Sequence, residues 1–307
     1  MRRWKNTAGA AFALAAMGFV LYFFGGELGS VSFASPALLR GLAGAVGIYV
    51  FVVMLGAFAW RVLLEAFGAT PRRWAAERQL LVSQIGKYIP GNVAQYVGRA
   101  SMALAAGTPA RIVGIALVAE TALIVVGGAI SVVIAIAIAP EQAGRVISLL
   151  PEASNLAWIV VAIAAFGLFL FLLHFTSKRL SRFGGIPTIE WTSLGIAILL
   201  YTVALLLLGT SLFLIVSALA SAPLPLTVAV FAAAWIAGLA TPGAPGGLGV
   251  RESVITVGLA PFLGGAAALS AALLHRGASV LGDVISFGIG LALPKQQDDL
   301  TDFEGGI

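Results

Sequence analysis

The sequence predicts an all-α integral membrane protein with about six full spans and two re-entrant helical segments that are broken by proline and glycine. Of the 307 residues, 60% are hydrophobic and only 10% are charged, and the mean hydropathy is +1.03. A soluble chain of this length needs a charged exterior. Several apolar runs reach the roughly 18–20 residues that cross a hydrocarbon core of about 30 Å. We therefore expect residues 1–307 to form a single membrane domain.

Six apolar runs are long enough to be full spans. They are 7–24, 39–60, 111–139, 155–175, 192–216 and 267–292. The first run follows the basic start Arg2-Arg3-Trp4-Lys5, so a secretory signal peptide is the alternative for it. The run exceeds the usual signal-peptide core of about 7–15 residues, and we expect it to be a retained span.

Basic residues predict the orientation of these spans. They follow the second and the fourth run, namely Arg61, Arg72, Arg73, Arg78, Lys178, Arg179 and Arg182. The loops 25–38, 140–154 and 217–226 contain Arg145 as their one basic residue. The positive-inside rule then places the N-terminus in the cytoplasm, together with a flexible acidic tail at 294–307. We expect the protein in a bacterial or archaeal plasma (inner) membrane.

Two segments, 75–108 and 227–265, do not fit an ordinary span. Each is apolar at both ends and breaks near its middle, at Pro90-Gly91-Asn92 and at Pro245-Gly246-Gly247. For the topology to hold, the first must enter and leave from the cytoplasm and the second from outside. Irregular backbone at membrane depth persists where protein or a water-filled cavity shields it. We therefore expect both segments to be re-entrant.

The order of these elements repeats along the chain. Spans that begin at 7, 39 and 111 are matched by spans that begin at 155, 192 and 267, at offsets of 148, 153 and 156 residues. Three crossings invert the second half, so halves 1–150 and 151–293 are predicted to form an inverted-topology repeat. Transporters of this plan bind substrate between broken helices near the midplane. The alternative is a chance match, because any helical membrane protein gives rough spacing similarities.

Charged residues in apolar context are the candidate functional residues, because each costs roughly 2.5–3.5 kcal/mol to insert. Helix N-termini and arginine forks both favour phosphate, so cations beside helix breaks suit an anionic headgroup. The predicted headgroup-binding residues are Lys87, Asn92, Arg99, Arg251, Glu252 and Arg276. The predicted gating residues are Pro90, Gly91, Pro245, Gly246, Gly247 and Gly249. The candidates for ion coupling are Glu120 and Asp283.

Structural roles are the alternatives for the same charges. Lys87 and Arg99 can instead snorkel to the cytoplasmic interface. Arg251 can form an ion pair with the adjacent Glu252, which would hold the second re-entrant segment in place.

Two further pairings stay open for Arg276. Glu120 lies at matching depth from the opposite side, which makes a Glu120–Arg276 pair a candidate for either a structural or a proton-coupling role. Asp283 lies two turns after Arg276, which can neutralise it. His174 is predicted to lie at the membrane interface.

Composition excludes several kinds of chemistry. The chain has no cysteine, which excludes disulfides, iron–sulfur clusters, thiol catalysis and cysteine-based zinc sites. Two histidines, His174 and His275, argue against a His-rich metal or haem centre, so we expect no metal and no cofactor. The sequence holds no Walker loop or Ser-His-Asp arrangement, which favours a transporter over an enzyme. The positive-inside rule accounts for the net charge of +5 without nucleic acid.

The motifs at the two breaks resemble a known family. The first motif is Gly86-Lys87-Tyr88-Ile89-Pro90-Gly91-Asn92, followed by Val97-Gly98-Arg99, and the second is Pro245-Gly246-Gly247-Leu248-Gly249-Val250-Arg251-Glu252. Both are similar to motifs of the lysylphosphatidylglycerol synthase transmembrane region family, also called the flippase-like domain family. The resemblance covers almost the whole chain and implies a helical bundle with re-entrant segments around a lipid-accessible cavity. It also implies movement of aminoacylated phospholipid between leaflets. Bifunctional synthases append a soluble aminoacyl-transferase domain, whereas this sequence ends about fifteen residues after its last predicted span. We therefore expect translocation without synthase activity.

Three functional hypotheses follow. The leading one is a lipid translocase (flippase) that moves a phospholipid or phosphoglycolipid headgroup through a polar cavity. The second is a translocase for a polyprenyl phosphate or polyprenyl-phosphate sugar in a glycosylation pathway, and the third is a membrane-embedded lipid-modifying transferase. The expected partners are membrane lipids, and a homo-oligomer or an association with a lipid-modifying enzyme stays open.

Overall fold

The computed structural model describes residues 35–89, 93–142, 144, 189–241 and 245–294. Within these ranges the helices are α1 Pro36–Ala66, α2 Ala75–Ser83, α3 Ala94–Ala105, α4 Ala110–Ile138, α5 Trp191–Leu219, α6 Leu224–Ala240, α7 Val250–Leu263 and α8 Gly265–Ala292. Short 3₁₀ turns cover Gln84–Tyr88, Pro140–Gln142 and Pro245–Gly247. No strand occurs in the described ranges, and the all-helical class is confirmed.

Four of the six predicted spans are confirmed as helices that are long and apolar enough to cross a membrane. They are α1, α4, α5 and α8. The 28 residues of α8 extend about 42 Å at 1.5 Å per residue, which exceeds a hydrocarbon core of about 30 Å. The predicted spans 7–24 and 155–175, His174 and the tail from 295 onwards lie outside the described residues.

Helices α1 and α5 form an antiparallel pair at the centre of the bundle. Near one end, the backbone of Gly41 approaches α5 so closely that a Cβ atom there would lie 2.5 Å from the carbonyl oxygen of Leu214. Near the other end, the Glu190 amide donates a hydrogen bond of 3.0 Å to the carbonyl oxygen of Ala66. Small residues permit such close contacts where lipid supplies no hydrophobic driving force between helices.

Helices α8 and α4 pack against this central pair, again through glycines. Gly282 of α8 faces the ring of Tyr49, and Gly127 of α4 faces the backbone of Tyr201; an added Cβ would lie within 2.9 Å of either neighbour. These contacts bring α8 against α1 and α4 against α5. The two tyrosines therefore point toward the same interior space as the charged residues of α4 and α8.

Each predicted broken segment is a pair of short helices with a 3₁₀ turn between them. Helices α2 and α3 flank Gln84–Tyr88, and α6 and α7 flank Pro245–Gly247. The two turns contact each other inside the bundle. Gly246 and Gly247 have φ angles of +57° and +70°, which favour glycine because L side chains rarely adopt them. Pro90, Gly91, Asn92, Pro242 and Gly243 lie outside the described residues.

Candidate functional site: a charged cleft between the two breaks

A cleft opens beside the point where the two helix breaks meet. Its cavity volume is about 120 Å³, which is smaller than the roughly 300–1,000 Å³ of a drug-sized ligand pocket. Aliphatic residues and glycines form about half of its lining. The charged and polar residues that line it are Tyr49, Gln84, Lys87, Gln95, Tyr96, Arg99, Glu120, Tyr201, Trp235 and Arg251.

Lys87 joins the first break to α8 through a buried ion pair. Its Nζ lies 2.6 Å from Asp283 Oδ2 and donates to the Tyr49 hydroxyl at 2.9 Å. The hydroxyls of Tyr49 and Tyr88 donate to the two oxygens of Asp283, at 3.2 and 2.5 Å. Lys87 and Asp283 are only 7% and 1% exposed, so this charge pair depends on its own partners rather than on water.

Arg99 forms the second buried pair, with Glu120 of α4. Its Nη1 donates to both carboxylate oxygens, at 2.5 and 2.6 Å, and its guanidinium lies 5.0 Å above the Trp60 ring. The Tyr201 hydroxyl donates to the same carboxylate at 3.4 Å. Both charges are buried, and each oxygen of Glu120 already accepts a hydrogen bond from a cation. Arg99 is therefore neutralised within the first half of the chain.

Arg276 of α8 holds the second break. Its Nη1 and Nη2 both donate to the carbonyl oxygen of Gly246 at 3.1 Å. Its Nε lies 3.2 Å from Glu252 Oε1. The two groups form an ion pair, but the geometry at Nε is not that of a hydrogen bond. The other oxygen of Glu252 accepts the Gly249 amide at 2.7 Å and so caps the start of α7. This set fixes the backbone of the second break.

Arg251 differs from Lys87, Arg99 and Arg276, because it is half-buried rather than buried. No carboxylate of the described residues lies within ion-pair distance of it, and its buried Nε has no hydrogen-bond partner there. The guanidinium stacks 3.7 Å above the Trp235 ring. A Cβ atom at Gly238 or Gly247 would lie 2.7–2.8 Å from this side chain, so both glycines leave room for it. Arg251 thus lies in a fitted slot at the cleft wall.

These groups lie near the middle of the long helices. Glu120 is four residues from the centre of α4, and Asp283 is between four and five residues from the centre of α8. At 1.5 Å per residue both are within about 7 Å of the helix centre. Charges at such positions are rare in membrane helices and indicate function unless they are fully paired.

The structure brings most of the predicted site residues together but changes their pairing. The candidate Glu120–Arg276 pair does not form, because Glu120 contacts Arg99 instead. The alternative of an Arg251–Glu252 ion pair is not found either, because Glu252 contacts Arg276 and caps α7. The sequence showed that Arg251 and Glu252 are adjacent and that Glu120 and Arg276 lie at similar depth in the membrane. It did not show which helix faces turn toward each other, and these faces determine the ion pairs.

Lys87, not Arg276, neutralises Asp283. Lys87 and Arg99 are buried and paired, so neither snorkels to an interface. Asn92, Pro90 and Gly91 lie outside the described residues, and their predicted roles stay predictions.

Sequence analysis missed the aromatic part of the site. Tyr49, Trp60, Tyr201 and Trp235 lie in apolar helices, where an aromatic residue carries no spacing signal of its own. One signal was present, because Tyr88 lies inside the first motif beside Lys87.

Comparison with known proteins now bears on this geometry. The family model described as the lysylphosphatidylglycerol synthase TM region matches residues 6–286. The chain belongs to this family. The match includes both breaks and the seven charged residues described above, and it supports a membrane protein with a lipid-related function. No curated protein matches the chain.

Proposed function

We propose that this member of the lysylphosphatidylglycerol synthase TM family is a lipid translocase that moves a phospholipid or phosphoglycolipid headgroup between leaflets. The observation that carries the proposal is Arg251, a cation without a carboxylate partner among the described residues, at the wall of an internal cleft. Arg251 is half-buried and its Nε is screened from water, so a ligand anion offsets the loss of hydration of this unpaired charge. The guanidinium also offers a fork that matches phosphate oxygens.

The surroundings of Arg251 support a headgroup rather than a whole lipid as the occupant. The cavity volume of about 120 Å³ is too small for a whole lipid, and Lys87 and Arg251 bring charged side chains to it from the two breaks. Acyl chains then stay in the bilayer beside the bundle while the headgroup crosses through the cleft. The cations Lys87, Arg99 and Arg276 are paired with carboxylates, so the net positive charge near the headgroup comes from Arg251.

In this proposal the two broken segments are re-entrant and act as alternate gates. The contacts of α8 support such a role, because Asp283 bonds to Lys87 at the first break and Arg276 bonds to Gly246 at the second. A small displacement of α8 relative to either break changes both sets of bonds. Movement is then facilitated, or is driven by membrane potential or protons.

The inverted repeat is part of the same proposal, and element positions support it. Helices α1 and α5 begin at 36 and 191, and α4 and α8 begin at 110 and 265, an offset of 155 in both cases. The antiparallel packing of α1 against α5 agrees with inversion of the second half. Binding between the broken helices of the two halves is the arrangement that such repeats use.

The test is reconstitution into liposomes that contain a phospholipid with a labelled headgroup. Wild type is expected to move label between leaflets above the protein-free rate, and Arg251→Gln is expected to lose most of that excess. Arg40→Gln is the matched control, because Arg40 is an exposed arginine whose Nε donates to the carbonyl oxygen of Pro36 in its own helix. Equal rates for wild type, Arg251→Gln and empty liposomes would refute the proposal.

A further inference from the structure

We infer that the cleft selects a phosphodiester lipid that carries one net negative charge and a hydroxyl-bearing headgroup without a cationic group. This inference rests on the proposed function and names the class of its substrate. It comes from the balance and the pairing of charges around the cleft.

The described residues around the cleft carry one positive charge in excess. The cations are Lys87, Arg99, Arg251 and Arg276, and the carboxylates are Glu120, Glu252 and Asp283. Each carboxylate contacts one cation, which leaves Arg251 over. A single phosphodiester carries one negative charge and balances this excess. A headgroup that also carries an ammonium has no net negative charge and does not balance it.

Each of the three carboxylates is already paired with a cation, so a headgroup ammonium would compete with that cation. Both oxygens of Glu120 accept from Arg99. Both oxygens of Asp283 accept from tyrosine hydroxyls, and one also contacts Lys87. Glu252 contacts Arg276 and the Gly249 amide. A cationic headgroup would have to break one of these buried pairs, which is costly because it leaves a charge uncompensated.

Arg251 cannot easily be redirected to one of these carboxylates. Trp235 covers one face of the guanidinium at 3.7 Å, and the side chain fits between the backbones of Gly238 and Gly247. The slot therefore holds the cation in place before a ligand arrives. Preorganised charge of this kind raises affinity because the site loses little conformational freedom on binding.

The rest of the polar lining is uncharged. Gln84 and Tyr96 supply an amide and a hydroxyl group to the cleft wall, and the Tyr201 hydroxyl, which donates to Glu120, keeps its oxygen as an acceptor. Such groups form hydrogen bonds with alcohols, which favours a glycerol or a sugar beyond the phosphate. The same chemistry occurs in glycerophospholipids and in polyprenyl-linked sugar phosphodiesters, and the experiment must separate these two sources.

The experiment compares four lipids by competition binding to the purified full chain in detergent. Phosphatidylglycerol, phosphatidylethanolamine and lysylphosphatidylglycerol share the same acyl chains, and a polyprenyl-phosphate-linked sugar is the fourth. We expect phosphatidylglycerol or the sugar lipid to bind about tenfold more tightly than either amine-bearing lipid, the scale of one charge-assisted hydrogen bond. Whichever of the two binds better identifies the source of the phosphodiester.

Three variants locate the preference. Arg251→Gln is expected to lower affinity for the anionic lipids about tenfold and to bring it level with phosphatidylethanolamine. Arg251→Lys keeps the charge and is expected to keep the preference, and Arg40→Gln is expected to bind like wild type. If Arg251→Gln does not fold, the comparison of the four lipids on wild type decides alone.

Tighter or equal binding of lysylphosphatidylglycerol would overturn the inference, as would an undiminished preference in folded Arg251→Gln. The two proposals fail separately. A charge preference in binding without any movement in liposomes refutes the translocase and leaves the selective site. Movement of all headgroups alike, without a binding preference, refutes the selectivity and leaves the translocase.

Discussion

Replacing Asp283 by asparagine tests how strongly α8 is tied to the first break. The change removes the charge that faces Lys87 Nζ at 2.6 Å and keeps a carbonyl oxygen for one of the two tyrosine hydroxyls. At an effective dielectric constant of about 20, that ion pair corresponds to about 6 kcal/mol of Coulomb attraction before desolvation. Breaking a buried pair by removal of one partner costs about 3–5 kcal/mol, and we expect a loss in this range.

The measurement is the free energy of unfolding in detergent, from a denaturant titration followed by tryptophan fluorescence. The double variant Lys87→Met with Asp283→Asn removes both charges and is expected to recover most of the loss, because no uncompensated charge then stays buried. Glu65→Gln is the control. It breaks the Arg61–Glu65 pair, whose side chains are about one-third exposed, and we expect a loss below about 1 kcal/mol.

The reasoning fails if Asp283→Asn destabilises no more than Glu65→Gln does. The single variant Lys87→Met is measured as well. The reasoning fails equally if the losses of unfolding free energy in Lys87→Met and Asp283→Asn simply add in the double variant, because the two side chains would then have no coupling energy. Either result would mean that Lys87 reaches another partner or water when Asp283 is neutral.

Three further predictions concern the cleft and the topology. Gly238→Ala places a Cβ 2.7 Å from Arg251 Cγ and is expected to reduce lipid movement at least severalfold, whereas Gly195→Ala, with open space around it, is expected to leave the rate unchanged in the same liposome assay. Glu120→Gln leaves Arg99 without its carboxylate, and we expect a loss of about 3–5 kcal/mol in unfolding free energy; a loss below 1 kcal/mol would contradict the buried pairing. Because the chain has no cysteine, single cysteines can be labelled cleanly with a membrane-impermeant maleimide. If the broken segments are re-entrant, cysteines placed at Arg73 and Ala110 react from the cytoplasmic side only, and cysteines placed at Ser221 and Ala266 react from the outer side only. If the two cysteines that flank one segment react from opposite sides, that segment crosses the membrane completely.

Hydropathy predicted the long helices well because their length is set by the bilayer rather than by their partners. The predicted spans 39–60 and 192–216 fall inside α1 and α5, which extend a few residues further at both ends. The two breaks were also predictable, since glycine and proline determine backbone conformation locally. The φ angles of Gly246 and Gly247 show why these positions interrupt a helix.

The pairing of the buried charges was not predictable in the same way. Asp283 meets Lys87 across 196 positions of sequence, and which face of α8 turns toward the first break depends on helix rotation. Rotation is set by glycine contacts such as that of Gly282 with Tyr49, which no periodicity in the sequence reveals. That Arg251 lacks a carboxylate partner within the described ranges is likewise visible only after the three carboxylates near the cleft have been paired with the other cations.

The number of residues between Arg276 and Asp283 in helix α8 is constrained, as well as the identity of these two residues. Arg276 and Asp283 are seven residues apart, close to two full turns, so both side chains leave the helix on nearly the same face. One residue inserted between them would rotate one relative to the other by about 100°, since each residue turns an α-helix by that angle. The helix could then bond to one break or to the other, but not to both. Between these two positions, we therefore expect changes of residue to be tolerated far better than changes of length.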